Sequence, residues 1–190
     1  MYGNACNVCL RKLFLQAEGV LKGLIGGDMK ADFENGIKAS FNYLEQGETG
    51  SLVQSLINGI GDTIQLNVNA NVNQYFEDNE ENYLVNIDSA KNDAQKLEAI
   101  ITQKYIASNQ VFGLEAWNEF RRTGYPKSSA SPLNNAVNSF VSLLSQSTAA
   151  NKLPNRIRYP QSEQTYNEKN WKAAGGDKIN VFTDKIFWAK

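Results

Sequence analysis

The residues best equipped for chemistry in this chain are arginines set beside aromatic rings: Arg121 and Arg122 near Tyr125, and Arg158 next to Tyr159. A guanidinium fork grips carboxylates and stacks on aromatic faces, so each pair suits anion or ring recognition. The same fork also fastens a loop to a helix end by donating to backbone carbonyls. Both pairs precede or adjoin a proline, Pro126 and Pro160, at expected turns, and that setting favours the structural role. Tyr166 and Trp171 lie in a polar segment rich in Asn and Lys, which makes them the candidates for a ligand-facing aromatic surface, with packing between helices as the competing reading.

Other constellations point to little chemistry. Glycoside hydrolysis needs two carboxylates roughly 5–10 Å apart in a cleft. Glu115 and Glu119 have the helical spacing to share a face, but that spacing is ordinary on solvated helices. Cys6 and Cys9 form a C-x-x-C pair, yet the chain holds two Cys and no His, so a zinc site lacks its remaining ligands. A thioredoxin-like site needs a preceding strand, whereas this pair opens a Leu-rich helical segment; packing or an incidental disulfide is expected. No apolar signal segment precedes Cys6 to make it an acylation site. The acidic run Glu77–Glu81 lacks the spacing and turn glycine of an EF-hand loop and reads as solvated surface. No Gly-rich phosphate loop or nucleophile elbow occurs. The expectation is a chain with no catalytic residues, no metal and no cofactor.

The elements that must position these residues are helical. In 190 residues, 42% hydrophobic content with three Trp, eight Tyr and nine Phe argues for a folded core. A net charge of −1 supplies no field to steer nucleic acid or anionic lipid. No apolar run of about 18 residues suggests a membrane-spanning helix, and no signal peptide is visible. Val8 to Ile25 reads as one helix, with Leu10, Leu13, Phe14, Ala17, Val20, Leu21 and Leu24 on a broad stripe. Gly26-Gly27 breaks it, and Asp28 can cap a second helix carrying Phe33, Ile37, Phe41 and Leu44. Such a pair matches a tetratricopeptide-type hairpin, 8–46, which needs neighbours to cover its apolar faces. The segment 47–89 reads as polar and irregular, although Ile64, Leu66, Val68, Ala70 and Val72 alternate as a strand would. Helix resumes near Ala90, with Leu97, Ile100, Ile101, Lys104 and Tyr105 setting its register. A further helix spans Val111, Leu114, Trp117 and Phe120 on one apolar face, placing Trp117 in the core. Arg121 and Arg122 sit in its last turn, Gly124 closes it and Pro126 stops it. A short helix is expected over Asn135 to Leu144.

The string Glu115-Ala116-Trp117-Asn118-Glu119-Phe120-Arg121-Arg122-Thr123-Gly124-Tyr125-Pro126 resembles the EAW-x-E-W-RRTGYP segment of the SusD/RagB family. Phe14 to Gly19, Gly26 to Ala31 and Gly36 to Phe41 are similar to its "LAEA…G-GDA…GIxAS" pattern, with Gly19 and Phe33 as departures. Gln103-Lys104-Tyr105 resembles the segment before the signature. Leu153 to Pro160 with Glu163, Asn167 and Asn170, then Gly175-Gly176-Asp177 and Asp184 to Trp188, resemble the family's later motifs, with Phe187 replacing a common Trp.

The resemblance implies a mainly α fold in which tetratricopeptide-like hairpins brace a loop-rich region, this chain being the C-terminal part (90–190 the C-terminal region proper). It implies capture of an oligosaccharide or peptide at the surface of the outer membrane beside a SusC-like TonB-dependent transporter. Trp117, Arg121, Arg122, Tyr125, Pro126, Arg158, Tyr159 and Pro160 are then structural motif residues. No nucleic acid is implied, and membrane attachment would come only through a lipid anchor on a preceding portion, with the signal peptide absent here. A helical-repeat scaffold without small-molecule ligand and a glycoside hydrolase are the alternatives.

Overall fold

The computed structural model describes residues 3–45, 53–57, 60–64, 68–108, 113–127 and 153–189. Its elements are α1 (Gly3–Leu21), α2 (Met29–Glu45), β1 (Val53–Ile57), β2 (Ile60–Ile64), α3 (Val68–Asp78), a single 3₁₀ turn (Ile87–Ser89), α4 (Asp93–Ala107), α5 (Gly113–Thr123), α6 (Gln161–Tyr166) and α7 (Glu168–Ala173). The fold is mainly helical, as expected. The anticipated helix over Asn135 to Leu144 lies outside the described residues. So do the side chains of Cys6 and Cys9, whose backbone belongs to α1. Two compact units divide the chain, Met1–Ala116 and Trp117–Lys190.

In the first unit, α1 ends earlier than its apolar pattern suggests. Gly23 adopts φ 67°, and Leu24 N–H donates to Gly19 O at 2.9 Å while Gly23 N–H donates to Val20 O at 2.9 Å. This pair of bonds is a Schellman closure, which needs a residue tolerant of positive φ. The chain therefore leaves the helix before Leu24 and Ile25, which are 75% and 48% exposed rather than part of the buried stripe. Asp28 then caps α2, its Oδ1 accepting from Ala31 N–H at 3.0 Å.

Phe14, Ala17, Phe33, Ile37, Ile87, Ala99, Ile100 and Ala107 form the buried core. Phe14 and Phe33 meet edge-on with centroids 6.3 Å apart. Their approach depends on Gly36: a Cβ there would lie 2.8 Å from the Phe14 ring. The neighbour that the hairpin requires is α4, which packs on both α1 and α2. Residues Glu98 to Lys104 of α4 are all buried, polar ones included. Their polar groups are served locally, as buried ones must be: Gln103 Nε2 donates to Tyr75 Oη at 3.0 Å and Leu84 O at 2.9 Å, and Tyr83 Oη donates to Glu98 Oε2 at 3.1 Å.

The segment read as irregular is more ordered than its composition suggests. It holds the antiparallel hairpin β1–β2, in register from Val53 opposite Ile64 to Ile57 opposite Ile60, and the helix α3. The alternation from Ile64 to Val72 is not a strand: Ile64 ends β2, and Val68 onward is helical. Helical spacing wins because it buries Val72 and packs Tyr75 and Phe76 against the core, the tilted rings of Phe41 and Tyr75 meeting with centroids 5.3 Å apart. Glu77, Asp78, Glu80 and Glu81 are exposed.

In the second unit α6 and α7 follow each other through Asn167, whose carbonyl accepts from Trp171 N–H at 2.9 Å. Beyond them the chain is held by turns, with Gly175 at φ 74°.

Candidate functional site

The last turn of α5 carries the best-defined polar arrangement in the second unit. Arg121 is buried, with its guanidinium carbon 3.6 Å from the Trp117 ring centroid and 4.7 Å from that of Trp188. The helical i, i+4 spacing brings Trp117 under Arg121; Trp188 arrives from the far end of the chain. Arg121 Nη1 donates to Asn155 O at 3.1 Å and Nη2 to Asn118 Oδ1 at 2.5 Å, while its Nε meets no acceptor. Every acceptor it uses is neutral. Burial without a carboxylate partner lowers the pKa of the guanidinium. The two indole faces offset part of that cost by cation–π attraction.

Trp117 is half-buried and lies outside the apolar core of the first unit. Its Nε1 donates to Pro154 O at 2.7 Å. The expected apolar face of α5 does not form as read: Leu114 is 68% exposed, Phe120 is half-buried, and Val111 lies outside the described residues. The reason is that this helix uses its Trp for stacking and hydrogen bonding rather than for a dry contact. The carbonyl contact foreseen at the helix end is made by Arg121, whereas Arg122 turns to Glu119 Oε2 at 2.6 Å.

Closure of α5 follows its residues. Gly124, at φ 81°, donates to Phe120 O at 2.7 Å. Thr123 Oγ1 donates to Glu119 O at 2.7 Å and accepts from Tyr125 N–H at 3.1 Å. Pro126 is buried, and Lys127 Nζ lies 5.7 Å over the Tyr125 ring.

The segment 153–156 is stitched to the tail. Asn155 N–H donates to Val181 O at 2.8 Å, Arg156 N–H to the same carbonyl at 3.2 Å, and Asn155 Nδ2 to Phe182 O at 2.6 Å. Asn155 thus joins α5 to residues 181–182, since its own carbonyl receives Arg121. Asn118, Asn155 and Trp188 lie within the motif segments, but their joint role around Arg121 was not read: Asn118 is one helical turn from Arg121, whereas Asn155 and Trp188 reach it from distant parts of the chain, which no local pattern signals.

The remaining candidates do not gather at this cluster. Arg158 and Pro160 are exposed and Tyr159 is 42% exposed; Pro160 stands immediately before α6, its carbonyl accepting from Glu163 N–H at 3.0 Å. Tyr166 is 88% exposed at the end of α6. Trp171 is half-buried on α7, its indole pressed on Gly176, where a Cβ would sit 2.2 Å from Nε1. Of the two ligand candidates, Tyr166 alone presents an open ring. The carboxylates weighed for hydrolysis are engaged: Glu115 pairs with Arg11, and Glu119 with Arg122. Among the described residues no group of three or more His, Cys, Asp or Glu side chains is placed to hold a metal ion.

The family described as SusD-like, SusD and RagB outer membrane lipoprotein, matches residues 8–188. The chain belongs to the SusD/RagB family. A crystal structure of a SusD homologue from Bacteroides fragilis is 28% identical at a TM-score of 0.56, the match covering 92% of this SusD-like chain and 31% of that one. A Bacteroidetes SusD-like protein shares the fold at a TM-score of 0.60 and 20% identity, covering 100% of this chain and 30% of that one. The structure of BT1043 matches at a TM-score of 0.51 and 25% identity, covering 95% and 35%. The SusD-like chain therefore spans about a third of the length of these solved relatives. No curated protein sequence matches it significantly.

Proposed function

We propose that this chain serves nutrient capture at the bacterial outer membrane, as part of a surface-exposed SusD-type lipoprotein that passes an oligosaccharide to a TonB-dependent transporter. The observation that carries the reading is the family match across residues 8–188. Sugar rings stack on aromatic faces and their hydroxyls take hydrogen bonds from polar side chains, so an open ring such as Tyr166, 88% exposed beside Asn167 and Asn170, is suited to the task. The neutral locking of Arg121 would hold the second unit's loops in place rather than touch the ligand. The engagement of Glu115 and Glu119 by arginines argues for binding over glycoside cleavage, because a general acid must be available to the glycosidic oxygen.

The test is calorimetry of the complete SusD-type protein carrying this segment against a panel of oligosaccharides and peptides, with reducing-sugar release measured in parallel. Saturable binding without release is the expected result. Release of reducing sugar would replace the proposal with hydrolysis, and no binding to any member of a broad panel would favour a scaffold.

A further inference from the structure

We infer that the second unit takes acidic sugars: the Arg156 guanidinium receives the carboxylate of a uronate residue, with Arg158 beside it, so the captured oligosaccharide is anionic. The overall charge of −1 conceals a segregation. Trp117–Lys190 carries 11 Lys and Arg against 5 Asp and Glu, a net +6, whereas Met1–Ala116 carries 8 against 15, a net −7. A compact unit with that excess of cations draws anions to its surface.

Two observations go beyond the charge balance. First, the acids of the second unit are already engaged. Glu119 pairs with Arg122 and Glu168 with Lys172, Glu163 accepts from Asn167 Nδ2, and Asp184 accepts from Asn180 N–H. Asp177 lies within electrostatic reach of Lys172. Among the described residues no acid pairs with Arg156, Arg158, Lys169, Lys178 or Lys185. Second, the half-buried Arg156 side chain has no acceptor. Its Nε is sealed from water without a hydrogen bond, while its two Nη groups, which bond to nothing in the protein, reach solvent. A guanidinium desolvated at its base and unpaired at its tip is costly as it stands. An incoming carboxylate offsets that cost by accepting from two N–H groups at once, in the planar geometry that lysine lacks. The backbone beneath the fork is held in advance, since Asn155 N–H and Arg156 N–H both donate to Val181 O. Tyr159, next to Arg158, and Tyr166 supply exposed rings for the sugar faces. The inference rests on the capture reading and adds the charge of the captured sugar.

The test is calorimetry of the complete SusD-type protein carrying this segment with oligogalacturonate and with its fully methyl-esterified form, which keeps the sugar chain and removes the charge. The acid form is expected to bind about tenfold more tightly, as a charge-assisted hydrogen bond requires, and the difference should shrink as salt rises. Arg156→Met should abolish that preference, and Arg156→Lys, with the charge kept and the fork lost, should halve it or more. Lys91→Gln, an exposed cation of the first unit, should change neither affinity. Because Nε of Arg156 is unsatisfied in the free protein, Arg156→Met should leave the melting temperature unchanged or raise it, which loss of a structural arginine would not do. The proposal is overturned if the two forms bind equally, if Arg156→Met keeps the preference, or if it lowers the melting temperature as much as the affinity. An oligodeoxynucleotide of matched charge binding as tightly as the uronate also overturns it, by marking an unselective field. Equal binding of the two forms leaves capture itself standing, whereas capture fails only with the whole neutral and peptide panel.

Discussion

At Arg121, replacement by lysine keeps a positive charge and removes the plane that two indoles clasp. Lysine cannot donate to Asn155 O and Asn118 Oδ1 while lying flat between Trp117 and Trp188. Arg121→Lys is expected to cost about 1–3 kcal/mol, read as a lower urea midpoint at unchanged m-value. Trp117→Ala removes a stacking face and the bond to Pro154 O, but from a half-buried site. Its expected cost is about 2–3 kcal/mol, below the range of a fully buried Trp. Stability should not titrate through Arg121 near neutrality. Its folded pKa is lowered by burial, so the fold disfavours the charged form; that penalty is constant at all pH values well below the folded pKa and lifts only in strong alkali. A flat contribution between about pH 5 and 9, obtained by comparing wild type with Arg121→Met, is the check.

Among the elements, the α1–α2 hairpin depends on two glycines for different reasons. Gly36→Ala gains helix propensity of about 1 kcal/mol, yet its Cβ would stand 2.8 Å from the Phe14 ring, deep in the core. Overpacking of this kind costs about 1–3 kcal/mol, so a net loss is expected in thermal or urea unfolding. Gly23→Ala meets no neighbour but must hold φ 67°, a cost of about 1–2 kcal/mol with no change in core packing. On α7, Lys172 pairs with Glu168, and the hydrogen bond to that carboxylate, then its charge, raise the lysine pKa. The sign follows: the contribution is complete below the ordinary lysine value and is lost as pH rises through the folded one. Gly176→Ala should expel the Trp171 indole, seen as a shift of its fluorescence to longer wavelength.

For the whole molecule, the decisive feature is that the chain spans about a third of its solved relatives. Helical repeats draw stability and binding surface from their neighbours. If the proposed capture role holds, this chain alone is expected to bind an oligosaccharide more weakly than a SusD-type protein of the relatives' length that carries it, a comparison that calorimetry makes directly. Equal affinities would place the site within residues 1–190 and make Tyr166 the first residue to change. The pairing of α1 and α2 with α4 supplies part of what a lone hairpin lacks, since Phe14 and Ile100 are both fully buried.

What the residues determined unaided were the features written in local order. The existence of the helices, the stop at Gly124-Tyr125-Pro126, the Asp28 cap and the SusD/RagB motifs all depend on neighbours a few positions apart. One local signal was passed over: Asn58-Gly59 between Ile57 and Ile60 is a strong hairpin dipeptide, flanked by residues that pair as β1 and β2. The early end of α1 was less legible, because Gly23 and Gly26 are both plausible stops and only the closing bonds choose between them. Tertiary structure alone decided which aromatics are exposed and which are clasped. Local context separated Trp117, on an apolar helical spacing, from Trp171, in a polar segment, yet both are half-buried. Trp117 is fixed by Arg121 one helical turn on and by Pro154 O, Trp171 by Gly176 a few positions on, and Trp188 by Arg121 from the distant tail; the long-range contacts draw their energy from stacking and from pairing buried polar groups, and periodicity carries no record of those.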